Sequence, residues 1–479
     1  MPLIAGTPAK GRLLARLAGG FSSAPTEPGL ESTGLSRRET VVLALVIFIT
    51  ALAARVLFFT VQVMDYPQPW SHSAPFGQAE MGSIAMNLAA GRGFSSPFGP
   101  GSTPTAWLCP LIPYLWALVI KIVGSATGFT ARLVIYLGTI PSAGCVVLYW
   151  LIARRVLRGS PAMRRTALLV AALFCVWPEA LYAIGYGWYY PWQECGTALM
   201  VLLGMRWIDR PSAKTVVPLG IAAGVLALIN VTSMPIFAVI LLLPLFKSGK
   251  AGRESRWRVL GLATAGLGLA ALITVPWTIR NAVVMHAFMP LRSVGGYQLY
   301  AGNNPYGNIR DCSTERHPQY EPEEMRRYQT LGEVGYSHWG FQQAVAYIRQ
   351  HPAQTLERAA ERAYVIWLAD ALDHWSWDGT SRYWRQGHAA IGNALATIVA
   401  AWGLSILMLW ALISGRFACL PYKWLFFSII FLLPLPYYLT IADYNYTQIL
   451  RSWLLLLVIL AFSAGFRRPG RDRTSTAES

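Results

Sequence analysis

Acidic residues are scarce in this chain. It has 23 Asp and Glu against 40 Lys and Arg, and charged residues of both signs make up only 13% of its 479 positions. So little charge excludes a solvated, disordered polymer as the main body. With 54% hydrophobic residues and a mean hydropathy of +0.40, a soluble domain would need an implausibly large core. The six cysteines form no C-x-x-C and no Cys/His cluster at zinc spacing, which argues against a structural metal. No repeat marks the paired halves of a secondary transporter. Carboxylates near the middle of apolar runs, the usual mark of ion transport, are also missing: Glu179, Glu194 and Asp443 lie toward run ends.

What is present is a series of separate apolar runs of about 20 residues, each long enough for a ~30 Å hydrocarbon layer. Candidate spans are 41–63, 129–153, 166–185, 191–208, 214–230, 232–246, 257–276, 387–413, 422–440 and 446–465. A further apolar stretch, 107–123, is short and broken by Pro110 and Pro113. If it crossed, Arg154, Arg155, Arg158, Arg164 and Arg165 would fall outside, against the positive-inside rule. If it lies at the interface or re-enters, five basic clusters share the cytoplasmic side: the N-terminal tail, 154–165, 206–214, 247–258 and 467–473. The second arrangement is the expectation. It gives an all-α polytopic protein with about ten transmembrane helices and both termini cytoplasmic. The net charge of +17 is then mostly a topology signal, and no nucleic-acid partner is expected.

The chain divides into a disordered tail (1–39), a transmembrane module (40–276) with its first outer loop at 64–128, a large outer loop (277–386), C-terminal helices (387–466) and a short tail (467–479). The basic pair Arg37-Arg38 before an apolar run resembles a secretory signal, but that run is too long and lacks a cleavage site. In the large loop, helices are expected at 336–349 and 353–370, separated at Pro352. Trp367, Trp375, Trp377 and Trp384 suit headgroup depth. His317, Glu321, Glu323, Glu324 and Glu333 read as solvated loop surface. A disulfide between Cys109 and Cys312 is open in an oxidising compartment.

The stretch 76–98, FGQAEMGSIAMNLAAGRGFSSPF, carries the chemistry. Met81, Ile84, Ala85 and Leu88 recur at helical spacing as an apolar stripe, expected to lie down on the outer membrane surface. Glu80, Ser83 and Asn87 share the neighbouring polar face, and Gly91 and Gly93 end the helix. Glu80 in the first turn is held ionised by the unpaired N–H groups and the dipole, by about 0.3–1 kcal/mol. Arg55, Arg451, Glu179, Glu194 and Asp443 form a ring of charges toward the outer boundary, suited to a lipid-linked phosphate. Arg451 lies a turn inside an apolar run and needs a partner, for which Asp443 is placed. The aromatic run before Glu194, YGWYYPWQ, suits either a sugar face or a membrane interface.

The first-loop stretch, continuing through GPGSTPTAWLCPLIPYLWALVIKIVG, resembles the first external loop of the GT-C superfamily of integral-membrane glycosyltransferases. The nearer likeness is to the dolichyl-phosphate-mannose–protein mannosyltransferase and lipid A aminoarabinose transferase branch. The later VPWTIRNAVVMHAFMPLRSVGGYQLYAGNNP is similar to a segment of bacterial members. The resemblance implies sugar transfer, with inversion, from a polyprenyl-phosphate donor to a protein, lipid or glycan acceptor on the outer face of a bacterial inner membrane. It places the general base at Glu80. The branch typically shows an Asp-Glu pair there, whereas this chain has Gln78-Ala79-Glu80. Arg280, Arg292, Arg451 and Arg55 are candidates for holding the departing phosphate. Asn87 and Glu194 complete the expected substrate-binding set. No cofactor motif is present, although a lone carboxylate can take a divalent cation as readily as a proton. A flippase for lipid-linked saccharides and a polysaccharide ligase are the alternatives.

Overall fold

The computed structural model describes residues 35–65, 79–185, 188–247, 253–306, 316–368, 388–442 and 448–463. The expectations for the N-terminal tail up to residue 34, Cys312, Trp375, Trp377, Trp384, Asp443 and the C-terminal tail lie outside these residues. Among the described residues the chain is all-α, its only strand-like feature being an isolated bridge between Ser95 and Pro104.

The helices are α1 (Arg37–Asp65), α2 (Ala79–Ala89), α3 (Leu111–Val123), α4 (Gly128–Val156), α5 (Met163–Cys175), α6 (Pro178–Gly185), α7 (Tyr190–Asp209), α8 (Ala213–Ile229), α9 (Met234–Lys247) and α10 (Arg253–Met285). The large loop contributes α11 (Gly295–Gly302), α12 (Pro322–Gln350) and α13 (Pro352–Leu368). The chain closes with α14 (His388–Ile413), α15 (Lys423–Leu432), α16 (Leu435–Leu439) and α17 (Gln448–Phe462). Among the described residues, α1, α4 and α10 are long and apolar enough to cross a membrane by length and composition. Shorter apolar helices occur in α3, α8, α9, α14, α15–α16 and α17.

Proline explains where the runs break. The run expected at 166–185 divides at Val176-Trp177, because Pro178 opens α6 and lacks the N–H needed to continue α5. The run at 422–440 divides at Leu433-Pro434 for the same reason. By contrast Pro276 lies inside α10, which runs on to Met285, so the large loop starts later than residue 277. The 13 residues of α3 extend only ~20 Å at 1.5 Å per residue.

Two clusters organise the packing. The larger fills the bundle around Tyr149, Trp150, Trp207, Phe426 and Trp453. Within it α8 and α10 approach closely, since a Cβ on Gly220 would meet the Gly266 carbonyl oxygen at 2.7 Å. The second cluster joins α2 and α3 to the large loop through Trp107, Trp116, Tyr189, Tyr297 and Tyr336. Here the structure corrects an expectation. Met81, Ile84 and Ala85 do not face lipid; they are buried in protein, against α3 and the aromatic side chains of the large loop.

Candidate functional site

Glu80 occupies the first turn of α2. Its Oε1 accepts two hydrogen bonds, from the Trp107 indole Nε1 at 3.1 Å and from His317 Nε2 at 3.0 Å. Both donors come from outside the helix, one from the segment before α3 and one from the large loop. The Glu80 side chain keeps 16% of its surface exposed and His317 9%. Oε2 makes no hydrogen bond among the described residues. One oxygen is therefore anchored and the other is open.

A chain of contacts fixes this anchor. Trp107 follows a hairpin-like loop in which Ser96 N–H donates to Thr103 O (2.9 Å) and Thr105 N–H to Phe94 O (3.1 Å). Asn87 organises the loop from below. Its Nδ2 donates to the carbonyls of Ser95, Ser96 and Gly99 at 3.0–3.1 Å, while its Oδ1 accepts from Arg92 Nε (2.8 Å) and Gly101 N–H (3.3 Å). Gly91, at φ +77°, lets the chain turn out of α2 into this loop, where a side chain would be strained. Arg280, at the end of α10, closes the hairpin from the other side by donating to Thr105 O (2.6 Å) and Phe94 O (2.7 Å). Its guanidinium also lies over the Trp277 and Phe94 rings.

Glu333 is the next support, and it is not solvated loop surface. It is buried at the Gly332 kink of α12 and accepts from Ala106 N–H (2.7 Å), Ser293 Oγ (2.7 Å), Tyr328 OH (3.0 Å) and the Thr105 hydroxyl. Glu324, read as exposed, is likewise buried, accepting from Arg327 Nη1 (2.5 Å) and Tyr336 OH (2.8 Å). His317 is enclosed by the rings of Phe98, Trp107, Tyr297 and Tyr320. Only Glu323 keeps the exposed character expected of that group, Glu321 being half-buried.

The sequence-derived set separates into two places. Arg292 and Glu80 are both within electrostatic range of Tyr189. Burial, the largest effect, pushes the Tyr189 phenol up; Arg292 opposes and Glu80 adds to it. Arg292 also donates to Gln298 Oε1 at 3.2 Å. Beside it Cys109 is buried, which raises its thiol to about 11. Arg280 and Asn87 build the loop rather than face the open carboxylate oxygen.

Arg55, Arg451 and Glu194 lie elsewhere, inside the bundle. Arg55 is 1% exposed; it donates to Ser142 Oγ (2.7 Å) and to the carbonyls of Phe174 (3.2 Å) and Cys175 (3.4 Å). It thereby caps the C-terminus of α5, where the break before Pro178 leaves carbonyls unpaired. Glu194 accepts from Tyr149 OH at 2.9 Å, with Arg55 and Glu179 as its charged neighbours. Arg451 pairs with Glu179. Tyr189 and Tyr190 are buried in the second cluster rather than presented at an interface. Asn303 and Asn304 turn their amides onto backbone carbonyls around α11.

No family model, curated protein or solved structure matches this chain. Among the described residues no three His, Cys, Asp or Glu side chains converge as metal ligands. At Glu80 the two N–H donors occupy Oε1, so an incoming proton or cation would meet Oε2. An apolar groove of about 510 Å³, lined by Val239, Leu243, Phe246, Phe427 and Phe431 among others, opens between α9 and α15. None of the residues that hold Glu80 lines it.

Proposed function

We propose that this chain is a membrane glycosyltransferase of the GT-C type, with Glu80 as general base. The acceptor hydroxyl gives its proton to Glu80 Oε2 as its oxygen attacks the anomeric carbon from the face opposite the phosphate. The bond from that carbon to the phosphate oxygen breaks, and the polyprenyl phosphate leaves with the electron pair. One new bond and one broken bond at a single carbon invert its configuration. Arg292 is the cation we assign to the departing phosphate, because it lies in the segment that resembles bacterial members of the superfamily. Arg280, Arg55 and Arg451 are withdrawn from that role, their guanidinium groups being committed to carbonyls or to Glu179.

The observation that carries this reading is the one-sided anchoring of Glu80, with Oε1 held by Trp107 and His317 and Oε2 left to a substrate. A general base needs that combination of fixed orientation and a free lone pair. The membrane arrangement we infer has about ten spans, both termini in the cytoplasm and Glu80 at the outer face of a bacterial inner membrane. The partners are then a polyprenyl-phosphate sugar, a protein, lipid or glycan acceptor, and the surrounding lipid.

The test is turnover in proteoliposomes supplied with radiolabelled polyprenyl-phosphate sugars. Glu80→Gln should retain donor binding and lose transfer by roughly 10²- to 10⁴-fold, the usual contribution of a positioned base. Undiminished movement of label across the bilayer by Glu80→Gln, with no transfer by the wild type, would instead make the protein a flippase.

A further inference from the structure

The geometry points to His317 as a positioning residue that selects which oxygen of Glu80 reacts. This inference rests on reading Glu80 as the base. The imidazole has two neighbours with fixed roles. The Gln319 backbone N–H donates to His317 Nδ1 at 3.2 Å, and a backbone N–H can only donate. Nδ1 is therefore an acceptor and carries no proton. The ring's proton sits on Nε2, which donates to Glu80 Oε1 at 3.0 Å. A two-residue turn thus sets the tautomer, and the tautomer sets the carboxylate.

Trp107 completes the arrangement. Its indole nitrogen is a donor only and meets the same oxygen, Oε1. Two obligate donors on one oxygen occupy its lone pairs and leave the second oxygen as the one with lone pairs open to an incoming proton. The ring is kept from rotating by Phe98, Tyr297 and Tyr320, whose centroids lie 5.3–5.5 Å from that of His317. Because Nδ1 is held as an acceptor, His317 does not relay a proton onward. Its work is orientation.

The charged and titratable surroundings are few. Glu80 faces His317 from α2, Tyr297 from α11 and Tyr320 from its own segment. Arg316 turns away, over the Tyr306 ring and toward Glu324. Tyr328 of α12 packs on Phe98 and Trp107 and donates to Glu333.

The experiment joins spectroscopy with kinetics on the full chain in lipid nanodiscs. In ¹⁵N-histidine-labelled protein, the signal lost in His317→Gln should be an imidazole protonated at Nε2 and bare at Nδ1. The kinetic arm compares two replacements. His317→Leu keeps bulk but removes the donor, and should lower kcat by roughly 10- to 100-fold with the donor KM little changed. His317→Gln places an amide N–H near the former Nε2 and should restore most of the rate. A ring protonated at Nδ1, or a His317→Leu enzyme with unchanged kcat, would overturn the assignment while leaving Glu80 as base. An active Glu80→Gln would instead overturn the base, and the ¹⁵N spectrum would still decide whether the tautomer is held.

Discussion

Arg451 and Glu179 meet inside the helical bundle, with Nε 2.6 Å from Oε2 and each side chain only 1% exposed. Arg451 opens α17 and Glu179 opens α6, so the pair ties the last helix to the proline-broken run near the middle of the chain. Gln448, a turn earlier, adds a bond to the Glu179 carbonyl at 3.1 Å. A guanidinium in an apolar run is tolerated because this partner meets it, and Glu194 and Arg55 lie in the same electrostatic neighbourhood.

Breaking that pair from one side should therefore be worse than removing both charges. Arg451→Met leaves a buried carboxylate without its ion and is expected to destabilise the bundle by about 3–5 kcal/mol. Arg451→Met combined with Glu179→Gln should recover much of that loss. Thermal unfolding in detergent, followed by size-exclusion recovery, measures both. A double variant no more stable than the single one would show that the two residues are not coupled.

Asn87 makes a different kind of prediction, since it touches the backbone of the loop that precedes Trp107. Asn87→Ala removes the donor to three carbonyls, at Ser95, Ser96 and Gly99. Leaving buried acceptors unmatched costs about 1–3 kcal/mol. The expected result is a lower melting temperature together with faster proteolytic cleavage between residues 91 and 101. Cleavage at the wild-type rate would mean that the loop holds its shape without the amide.

Alkaline stability should report on the tyrosines of the second cluster. Burial, then the Glu324 charge, pushes Tyr300 up to about 12, with Arg316 and Arg327 opposing. Burial raises Tyr328 and Tyr336 as well, each next to a carboxylate. In the unfolded chain these phenols ionise near 10. The folded state favours the protonated form, so this contribution is fully present below pH 10 and is lost as pH rises through about 12. Phenolate absorbance followed alongside melting temperature from pH 9 to 12 should show late ionisation and falling stability. Normal phenol titration near 10 in a protein that stays folded would contradict the burial of this cluster.

The break at Pro352, the exit from α2 at Gly91 and the first-turn position of Glu80 are legible in the sequence, whereas the division at Pro178 is not expected there. Each depends on properties of a few adjacent residues: a missing N–H, a tolerated positive φ, a spacing of 3.6. The buried character of His317, Glu324 and Glu333 is not legible there, and the local sequence around them reads as solvated loop. A signal did exist for Glu333, because it follows a glycine that breaks a long polar helix, but nothing local says what the bend faces.

The partners that decide these residues are remote. His317 and Glu80 are separated by 237 positions, Ala106 and Glu333 by 227, and Arg451 and Glu179 by 272. The sequence by itself determined an all-α, strongly apolar chain with a lone carboxylate on a short amphipathic helix, because composition and periodicity act over one or two turns. Only the tertiary structure decided that the apolar stripe of that helix faces protein and that one oxygen of Glu80 is anchored. It also decided that most of the candidate arginines are committed elsewhere. Burial and hydrogen bonding depend on which distant segments come together, and no local pattern records that.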